Sequence, residues 1–319
     1  MRVLLAGGAG FIGSHVADVL LARGDDVVAV DNLSTGRAVN VAHLMNNPRF
    51  TLIEHDITLP FPQHPALADQ FDAVMDLASP ASPNDFKTMP LEILAVGSTG
   101  TRQLLDLAVT QNTKFLLAST SEVYGDPLVH PQPETYWGNV SPIGPRSCYD
   151  EAKRFSEALT MAYRRVHALD VRVVRIFNTY GERMRPGDGR VVNTFIEQAL
   201  RGEPITLYGD GQQTRSFCHV EDEVRGIVAL LDSDLCEPVN IGNPNEFTME
   251  KLAELVLAVT GSKSPIVRVP LPEEREGDPL QRCPDISLAR DLLGWEPRIS
   301  LSEGLPRMVH HFRTHEGFA

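Results

Sequence analysis

The chain has 319 residues, of which 42% are hydrophobic and 22% charged, the balance of an ordinary soluble protein with room for about two domains. A net charge of −13 argues against nucleic acid or an anionic membrane surface as a partner, so an anionic ligand needs a local group of basic side chains. No apolar run reaches the about 18 residues of a membrane span. Residues 1–6 have the pattern of a first strand rather than a secretory leader, so we expect a cytoplasmic protein.

A glycine-rich turn follows this first strand, with the spacing Gly7-x-x-Gly10-x-x-Gly13 before an amphipathic helical pattern. The glycines allow a tight turn and a close approach of a pyrophosphate to helix N-terminal amides. The spacing favours the short-chain reductase type over the commoner G-x-G-x-x-G dehydrogenases. A second strand, Asp26–Asp31, ends in a carboxylate that can accept from both ribose hydroxyls and would repel the 2′-phosphate of NADP. The sequence therefore predicts a dinucleotide site that prefers NAD.

Further along the chain, short apolar segments alternate with helical patterns. This alternation is typical of a doubly wound parallel sheet, the α/β Rossmann fold. At the start of the second helix, Ser147 is a predicted N-cap with Asp150 as its capping-box partner. The predicted strands are 50–54, 73–77, 114–119 and 171–176, and the predicted helices are 91–110 and 149–167.

Beyond about Asn178 the alternation loosens, which indicates a smaller C-terminal α/β substrate domain. The elements predicted there are helix 220–231, strand 238–241 and helix 249–259. The first two suit a helix and a strand that return to the first sheet. We therefore predict an NAD-binding domain over 1–178, with 217–242 returning to it, and a nucleotide-sugar-binding domain over 179–319.

The second predicted helix carries a tyrosine and a lysine four residues apart, Tyr149 and Lys153, which share one helix face. A free phenol ionises near pH ~10, but a neighbouring ammonium and an oxidised nicotinamide both favour the phenolate. The pair can therefore abstract a proton. A core tyrosine beside a solvated lysine is the alternative that the spacing alone leaves open.

Cysteines, histidines and arginines give weaker signals. The cysteines have no C-x-x-C spacing and the ten histidines are scattered, so we expect reduced, structural cysteines and no metal site. Cys148, beside Tyr149, has a reactive thiol as its alternative interpretation. Arginines near loop signals could bind a diphosphate or a carboxylate, although a single one is more often a solvated surface residue. These arginines are Arg183, Arg185, Arg190, Arg215, Arg275 and Arg282.

Several longer strings carry a family resemblance. The most specific are LASPASP at 77–83 and Thr120-Ser121-Glu122 after the fifth strand, whereas the glycine turn and the Tyr–Lys pair mark only a superfamily. Further strings are PIGPR at 142–146, RIFNT at 175–179, DGRVV at 188–192, YGDGQQTR at 208–215 and the segment 277–286. From Met1 to about Arg313, the chain resembles the extended short-chain dehydrogenases/reductases that act on nucleotide sugars, and among them the UDP-glucuronate decarboxylase (UDP-xylose synthase) family.

This resemblance implies a bound NAD, a UDP-sugar substrate and a homodimer formed through the helices at 91–110 and 149–167. The implied cofactor-binding residues are Gly7, Gly10, Phe11, Ile12, Gly13, Asp31, Asn32, Asp56, Ile57, Leu77, Ala78, Ser79, Tyr149 and Lys153. The implied substrate-binding residues are Pro83, Asn178, Arg185, Arg190, Val192, Tyr208, Arg215 and Arg282. The implied catalytic residues are Thr120, Ser121, Glu122, Tyr149, Lys153 and Arg282. One departure is Gly97, which stands where relatives carry an Asn that steadies the helix behind the active site.

The implied reaction follows from these groups. Tyr149 would take the proton of the sugar's 4-hydroxyl as hydride passes from carbon 4 to NAD, which makes a ketone β to the carboxylate. Carbon dioxide can then leave without a metal, with the hydroxyls of Tyr149 and Thr120 stabilising the enolate. Protonation of carbon 5 and return of the hydride convert the 4-keto-pentose to UDP-xylose, with no net redox change. Arg282 is expected to grip the carboxylate with two hydrogen bonds, and Glu122 to orient the ring and manage the proton at carbon 5.

Several alternatives remain at this point. Arg282 could instead pair with Asp278 or Asp285, and Glu122 could cap a turn. An enzyme that stops at the UDP-4-keto-pentose shares the Ser-Glu pair. A 4,6-dehydratase typically has Asp-Glu after the fifth strand, and a 4-epimerase usually has no acid there. A nicotinamide-sensing protein without catalysis would tend to lose the tyrosine or the lysine.

Overall fold

The computed structural model describes residues 1–271, 279 and 281–318. Its strands are β1 (Arg2–Ala6), β2 (Asp26–Asp31), β3 (Phe50–Glu54), β4 (Ala73–Asp76), β5 (Lys114–Thr120), β6 (Val171–Ile176), β7 (Thr179–Tyr180), β8 (Ile205–Tyr208), β9 (Thr214–Ser216), β10 (Cys218–His219), β11 (Pro238–Ile241), β12 (Glu246–Thr248), β13 (Ile266–Val269) and β14 (Gln281–Arg282). Its α-helices are α1 (Phe11–Ala22), α2 (Pro83–Thr88), α3 (Pro90–Ala95), α4 (Thr101–Gln111), α5 (Ser147–His167), α6 (Val191–Arg201), α7 (Val220–Asp232), α8 (Met249–Thr260), α9 (Ser287–Leu293) and α10 (Leu301–His315).

The main sheet has seven parallel strands in the order β3-β2-β1-β4-β5-β6-β11, which confirms the predicted doubly wound α/β fold. Strand β11 lies beside β6, so residues 238–241 do return to this sheet as predicted. Successive residues of β1 enter opposite cores. Val3 and Leu5 pack with α1 and α7, whereas Leu4 and Ala6 pack with α4 and α5. A strand buried on both faces needs a continuous apolar run, and that run is what β1 has.

A third core lies in the second half of the chain, where α6, α8 and α10 pack around β8. Phe195, Leu252 and Phe312 are buried in it, one from each helix. Helix α8 begins after Thr248, whose side chain accepts from the Lys251 amide, and ends at Gly261 in the left-handed conformation. This core falls within the range predicted for the substrate domain, and the domain boundaries themselves stay a prediction. Among the described residues, no helix combines the length and apolar character needed to cross a membrane.

Two predictions about helices were wrong. The pattern at 91–110 is not one helix, because a π-helical segment, Val96–Gly100, separates α3 from α4. This segment lies against α5, so close that a Cβ at Gly97 would be 2.8 Å from the Ala152 Cβ. Ser147 is not an N-cap either. The Arg146 carbonyl accepts from the Asp150 amide at 3.1 Å, so the N-cap is Arg146, one residue before the predicted cap, and it forms no side-chain cap. The helix itself begins at Ser147, two residues before the predicted start at 149.

Candidate active site

A cleft of about 1090 Å³ opens at the carboxyl ends of β5 and β6, the edge of a parallel sheet where ligands bind. One wall is formed by the main sheet and α5, and the other by α6 and the segments around β8 and β9. All six predicted catalytic residues line this cleft: Thr120, Ser121, Glu122, Tyr149, Lys153 and Arg282. The fold therefore brings together residues that are up to 162 positions apart (282 − 120) in the sequence.

Tyr149 and Lys153 lie side by side on α5, as their spacing predicts. Lys153 is 5% exposed, and its Nζ donates to the Ala118 carbonyl at 2.9 Å. The Tyr149 ring stacks on Phe86 at a centroid distance of 4.9 Å. Burial raises the pKa of Tyr149 to about 12, while its hydrogen bond with Thr120 acts in the opposite direction. With this pKa the phenol is protonated at neutral pH, so Tyr149 can act as a base only if neighbouring positive charges lower its pKa.

Glu122 lies between two arginines at the tip of β5. Its Oε2 accepts from Arg146 Nη2 at 2.6 Å, and its Oε1 is 3.1 Å from Arg282 Nη1. Although burial opposes ionisation, Arg282 and then Arg146 hold the pKa of Glu122 well below its usual range. Burial, and then the charge of Glu122, raises the pKa of the neighbouring Asp150. Glu122 is therefore an anion at neutral pH.

Arg282 is almost fully buried at 1% exposure, and other parts of the protein already bind it. Nη1 donates to Ser121 Oγ at 3.1 Å and Nη2 to the Gly125 carbonyl at 2.7 Å. The predicted two-pronged grip on a substrate carboxylate is thus unavailable unless Arg282 gives up these bonds. The Nε atom is buried without a hydrogen-bond partner among the described residues. Of the two alternative partners, Asp285 accepts instead from the Ser287 amide, and Asp278 lies outside the described residues.

The opposite wall holds most of the predicted substrate-binding residues. Those that line the cleft are Pro83, Asn178, Arg190, Val192, Tyr208, Arg215 and Arg282. Arg190 donates to the Ala81 carbonyl at 2.8 Å and pairs with Asp188 at 3.1 Å. Arg185 is the exception, because it is not among the lining residues and pairs with Asp85 at 2.7 Å.

The other arginines singled out in the sequence behave differently. Arg183 pairs with Asp18 at 2.7 Å, as a structural ion pair away from the cleft lining. Arg275 lies outside the described residues. Of the arginines that the sequence singled out for an anionic ligand, the ones that line the cleft are therefore Arg190, Arg215 and Arg282.

The glycine turn forms a smaller cavity of about 60 Å³ next to the cleft. Gly7 has φ +78°, and a Cβ there would lie 2.7 Å from the Leu77 carbonyl. Gly13 lines neither cavity, and a Cβ there would lie 2.1 Å from the Gly7 oxygen, so its role is close packing of α1 against the turn. The other predicted cofactor residues line one cavity or both: Gly7, Gly10, Phe11, Ile12, Asp31, Asn32, Asp56, Ile57, Leu77, Ala78, Ser79, Tyr149 and Lys153.

Two carboxylates, those of Asp31 and Asp56, line this smaller cavity. Asp31 accepts from the amides of Ala9 and Leu33, each at 2.9 Å, and burial raises its pKa. Asp56 accepts from Asn32 at 3.1 Å. A glycine-rich turn at a helix N-terminus, with one acidic group at the end of β2 and another just after β3, fits the pyrophosphate and ribose of a dinucleotide.

Sequence reasoning missed two residues of the cleft. Arg146 binds Glu122, and its guanidinium lies 5.5 Å from the centre of the Phe86 ring, which in turn stacks on Tyr149. Arg146 stands three residues before Tyr149, a spacing that puts both on one face of a helix and could have identified it. Phe86 carries no such signal, because only the tertiary structure brings α2 against α5.

A further group of side chains lies outside the cleft. The ligand-type atoms of His130, Glu246 and Cys283 lie within 4.8 Å of one another, although their sequence spacing predicts no metal site. His130 and Glu246 form a hydrogen bond of 2.9 Å, and Thr214 donates to Glu246 at 2.7 Å. Burial raises the pKa of Cys283 to about 12. The four cysteines are free thiols, and Cys148 is buried with a pKa raised by that burial, which favours the structural interpretation.

Comparisons with known proteins agree with this geometry. The family model described as GDP-mannose 4,6 dehydratase matches residues 4–308. UDP-glucuronic acid decarboxylase 1 of Arabidopsis thaliana is 52% identical over 98% of this chain and 70% of its own length. The protein of the same name from Xenopus tropicalis is 49% identical over 98% of this chain and 72% of its own length.

Solved structures with the same fold have related chemistry. A UDP-glucose 4-epimerase from Thermotoga maritima with UDP-glucose has a TM-score of 0.88 and 33% identity, covering 98% of this chain and 99% of its own. A dTDP-glucose 4,6-dehydratase from Streptomyces venezuelae with NAD bound has a TM-score of 0.88 and 30% identity, covering 99% of this chain and 98% of its own. The chain therefore belongs to the extended short-chain dehydrogenases/reductases of the GDP-mannose 4,6 dehydratase family and, within them, to the UDP-glucuronic acid decarboxylase family.

Proposed function

We propose that this protein decarboxylates UDP-glucuronic acid to UDP-xylose through a 4-keto-hexuronate and a 4-keto-pentose, with NAD bound and regenerated. The observation that carries the proposal is a cleft in which Tyr149 and Lys153 lie beside Thr120 and a single carboxylate, Glu122, at the tip of β5. The relatives named UDP-glucuronic acid decarboxylase, with their high coverage of this chain, support it. NAD, when bound, supplies a reversible hydride acceptor for carbon 4 of the sugar.

Tyr149 takes the proton of the 4-hydroxyl. Lowering its pKa from about 12 to near 7 requires roughly 7 kcal/mol of preference for the phenolate. Two cations contribute to this preference in the proposal: the Lys153 ammonium, one turn along α5, and the Arg190 guanidinium, whose charge acts to lower the pKa of Tyr149. After the carboxylate leaves as carbon dioxide, the Thr120 hydroxyl and the protonated Tyr149 stabilise the enolate oxygen on carbon 4.

Glu122 and Arg282 have revised roles in this proposal. Glu122 is anionic in this structure, so it is not itself the proton donor to carbon 5. In the proposal it orients a sugar hydroxyl and a water molecule, and that water supplies the proton to carbon 5 as the enolate collapses to the 4-keto-pentose. Arg282 holds Glu122 and Ser121 in place, and a substrate carboxylate would compete with Glu122 for its Nη1 atom. If the substrate carboxylate replaced the Glu122 carboxylate on Arg282, substrate binding would move Glu122.

The overall fold does not discriminate among reactions, because epimerases and dehydratases have the same architecture. The residues after β5 do discriminate. A 4,6-dehydratase needs a second acid to protonate a leaving hydroxyl, and this chain has Ser121 at that position. An enzyme that stops at the 4-keto-pentose and releases NADH remains the alternative.

The deciding experiment is to incubate the protein with UDP-glucuronic acid and NAD and to follow the sugar by NMR. UDP-xylose without accumulation of NADH supports the proposal. UDP-4-keto-pentose with one NADH per sugar supports the alternative. A 4-epimer that keeps its carboxylate would contradict both.

We further propose a homodimer formed through α3 and α5. The outer faces of these helices carry large exposed apolar side chains, with Leu91 75% exposed and Phe155 51% exposed. We retain as proposals the division into a nucleotide domain over 1–178 with 217–242 and a sugar domain over 179–319, and a cytoplasmic location.

A further inference from the structure

A buried carboxylate lies beside the catalytic pair, and the proposed mechanism does not use it. Asp76 is the last residue of β4 and is 1% exposed. In the sheet, Asp76 pairs with Leu117 of β5, and the next carbonyl along β5, that of Ala118, accepts from Lys153 Nζ at 2.9 Å. The carboxylate at the end of β4 and the ammonium that α5 directs onto β5 therefore lie at the same edge of the sheet.

Neutral hydroxyl groups hold Asp76 in this position. Its Oδ2 accepts from Thr101 Oγ1 at 2.8 Å, and Thr101 Oγ1 lies 3.4 Å from Ser156 Oγ. Ser156 stands one turn after Lys153 on α5 and donates to the Gly97 carbonyl at 2.7 Å. These contacts orient the carboxylate but carry no charge. Burial raises the pKa of Asp76, and among the described residues the charge that acts most strongly in the opposite direction is that of Lys153.

The acidic groups that act on Lys153 are Asp76 from β4 and Glu157 from its own helix. Burial lowers the pKa of Lys153, and these two charges act in the opposite direction, Asp76 more strongly. Glu157 is already engaged, with Arg175 at 2.8 and 2.9 Å and with Ser119 at 2.6 Å. In the part of the chain that the structure describes, Asp76 forms no ion pair with an arginine, and Lys153 is the cation that acts on it.

We propose that Asp76 is a positioning residue whose ionised carboxylate keeps the buried Lys153 protonated, so that Lys153 can stabilise the Tyr149 phenolate. This inference deepens the proposed function, and its kinetic test rests on that function. Its thermal test does not, because unfolding is measured without substrate.

The kinetic test compares Asp76→Asn with the parent protein over a range of pH. Asn keeps the shape and one acceptor oxygen but removes the charge. We expect the alkaline limb of the rate profile to move down by about 1 to 3 pH units, since loss of an opposite charge lowers the pKa of Lys153 by that amount. Asp106→Asn on the exposed face of α4 is the matched control and should leave the limb in place. An unmoved limb in Asp76→Asn, whatever the rate, overturns the proposal.

The thermal test is a double-mutant cycle with Lys153→Met, followed by the unfolding temperature. In the parent protein, Asp76→Asn should lower that temperature, because Lys153 loses its counter-charge. In the Lys153→Met background the same change should raise it, because it removes a buried carboxylate without a cation. Equal effects in both backgrounds would mean that Asp76 only packs, and the proposal fails. If Asp76→Asn lowers the unfolding temperature of the parent protein and raises that of Lys153→Met, but no decarboxylation is found, the proposed function alone is wrong.

Discussion

Two titratable side chains in the cleft are driven to opposite protonation states by their surroundings. Glu122 is held ionised by Arg282 and Arg146, whereas burial keeps Tyr149 protonated with a pKa of about 12. The neutral phenol can become a base only next to a cation. The anionic Glu122 cannot be a proton donor until one of its arginines moves. Single-residue changes at these positions therefore have distinct expected outcomes.

Tyr149→Phe should abolish hydride transfer and carbon dioxide release together, because decarboxylation requires the ketone that Tyr149 helps to make. We expect a loss of roughly 100- to 10,000-fold, the usual contribution of a general base. Single-turnover absorbance at the reduced nicotinamide band and trapping of labelled carbon dioxide measure the two steps. Tyr163→Phe on the same helix, whose hydroxyl binds Asp106, is the control. A variant that still releases carbon dioxide would refute the assigned order.

Arg282→Ala should weaken UDP-glucuronic acid binding by roughly 10- to 150-fold, the equivalent of 1.5 to 3 kcal/mol for a charged hydrogen bond, and UDP-glucose binding far less. Calorimetry with both ligands measures the difference. The unfolding temperature should also fall, since Ser121, Glu122 and the Gly125 carbonyl lose their partner. Arg268→Ala, at an exposed pair with Glu250, is the control. Equal weakening of both ligands would mean that Arg282 only supports the fold.

Glu122→Gln should slow turnover while NAD affinity stays unchanged, because Glu122 lines the cleft but not the nucleotide cavity. Removing its charge also takes a counter-charge from the buried Arg282 and the half-buried Arg146, so the unfolding temperature should fall. Steady-state rates and a fluorescence titration with NAD separate the two effects. Turnover at the parent rate would contradict a role for Glu122 at the sugar.

Asp31 should set a preference for NAD, because a 2′-phosphate would face its carboxylate in a poorly screened cavity. We expect NAD to bind at least ~10-fold more tightly than NADP, which corresponds to about 1.4 kcal/mol. Asp31→Asn should reduce the difference in affinity between NAD and NADP. A titration that gives equal affinities for the parent protein would refute this assignment.

At the scale of elements, the cleft depends on how closely the π-helical segment Val96–Gly100 approaches α5. The Gly97 carbonyl accepts from Ser156, and Gly97 has no room for a Cβ against Ala152. Gly97, at the position where relatives carry an Asn, thus allows the π-helical segment to contact α5 closely. Ser156 and Thr101 occupy the space behind Lys153 and connect it to β4.

Gly97→Ala should therefore destabilise the protein by about 1 to 3 kcal/mol, the usual cost of overpacking. Its Cβ would lie 2.8 Å from the Ala152 Cβ. Adding Ala152→Gly should recover part of the loss, whereas Gly202→Ala, where a Cβ meets open space but φ is +69°, tests backbone strain alone. Chemical denaturation measures each free energy of unfolding. Additive effects of Gly97→Ala and Ala152→Gly would mean that the two residues do not press on each other.

For the whole molecule, two cores contribute opposite walls of one cleft. Helix α5, which packs on the seven-stranded sheet, supplies Tyr149 and Lys153, and the turn after β5 supplies Glu122. The α6–α8–α10 core supplies Val192. Outside the cleft, exposed apolar side chains on α3 and α5 are the features that a monomer would leave in water.

Leu91→Asp should convert the proposed dimer to a monomer without unfolding it, because this side chain is 75% exposed and makes few contacts within the chain. Light scattering after size exclusion measures the mass. Leu292→Asp on α9, 56% exposed, is a matched control that should leave the dimer intact. A parent protein that is monomeric at all concentrations would contradict the proposal.

Local sequence patterns were sufficient for the main sheet, the glycine turn, Asp31 and the Tyr149–Lys153 pair. Each depends on interactions between near neighbours, such as strand burial, turn geometry and helix spacing. The family resemblance added residues such as Asn178 and Val192, which no spacing connects to the cleft, and it gave roles to Arg190 and Arg282, which the loop signals had only singled out. Packing between distant segments decided three features: the π-helical segment, the N-cap of α5 at Arg146 and the hydrogen bonds of Arg282. Phe86 under Tyr149 and Asp76 beside Lys153 belong to the same class, because their roles depend on burial, and burial is a property of the assembled layers.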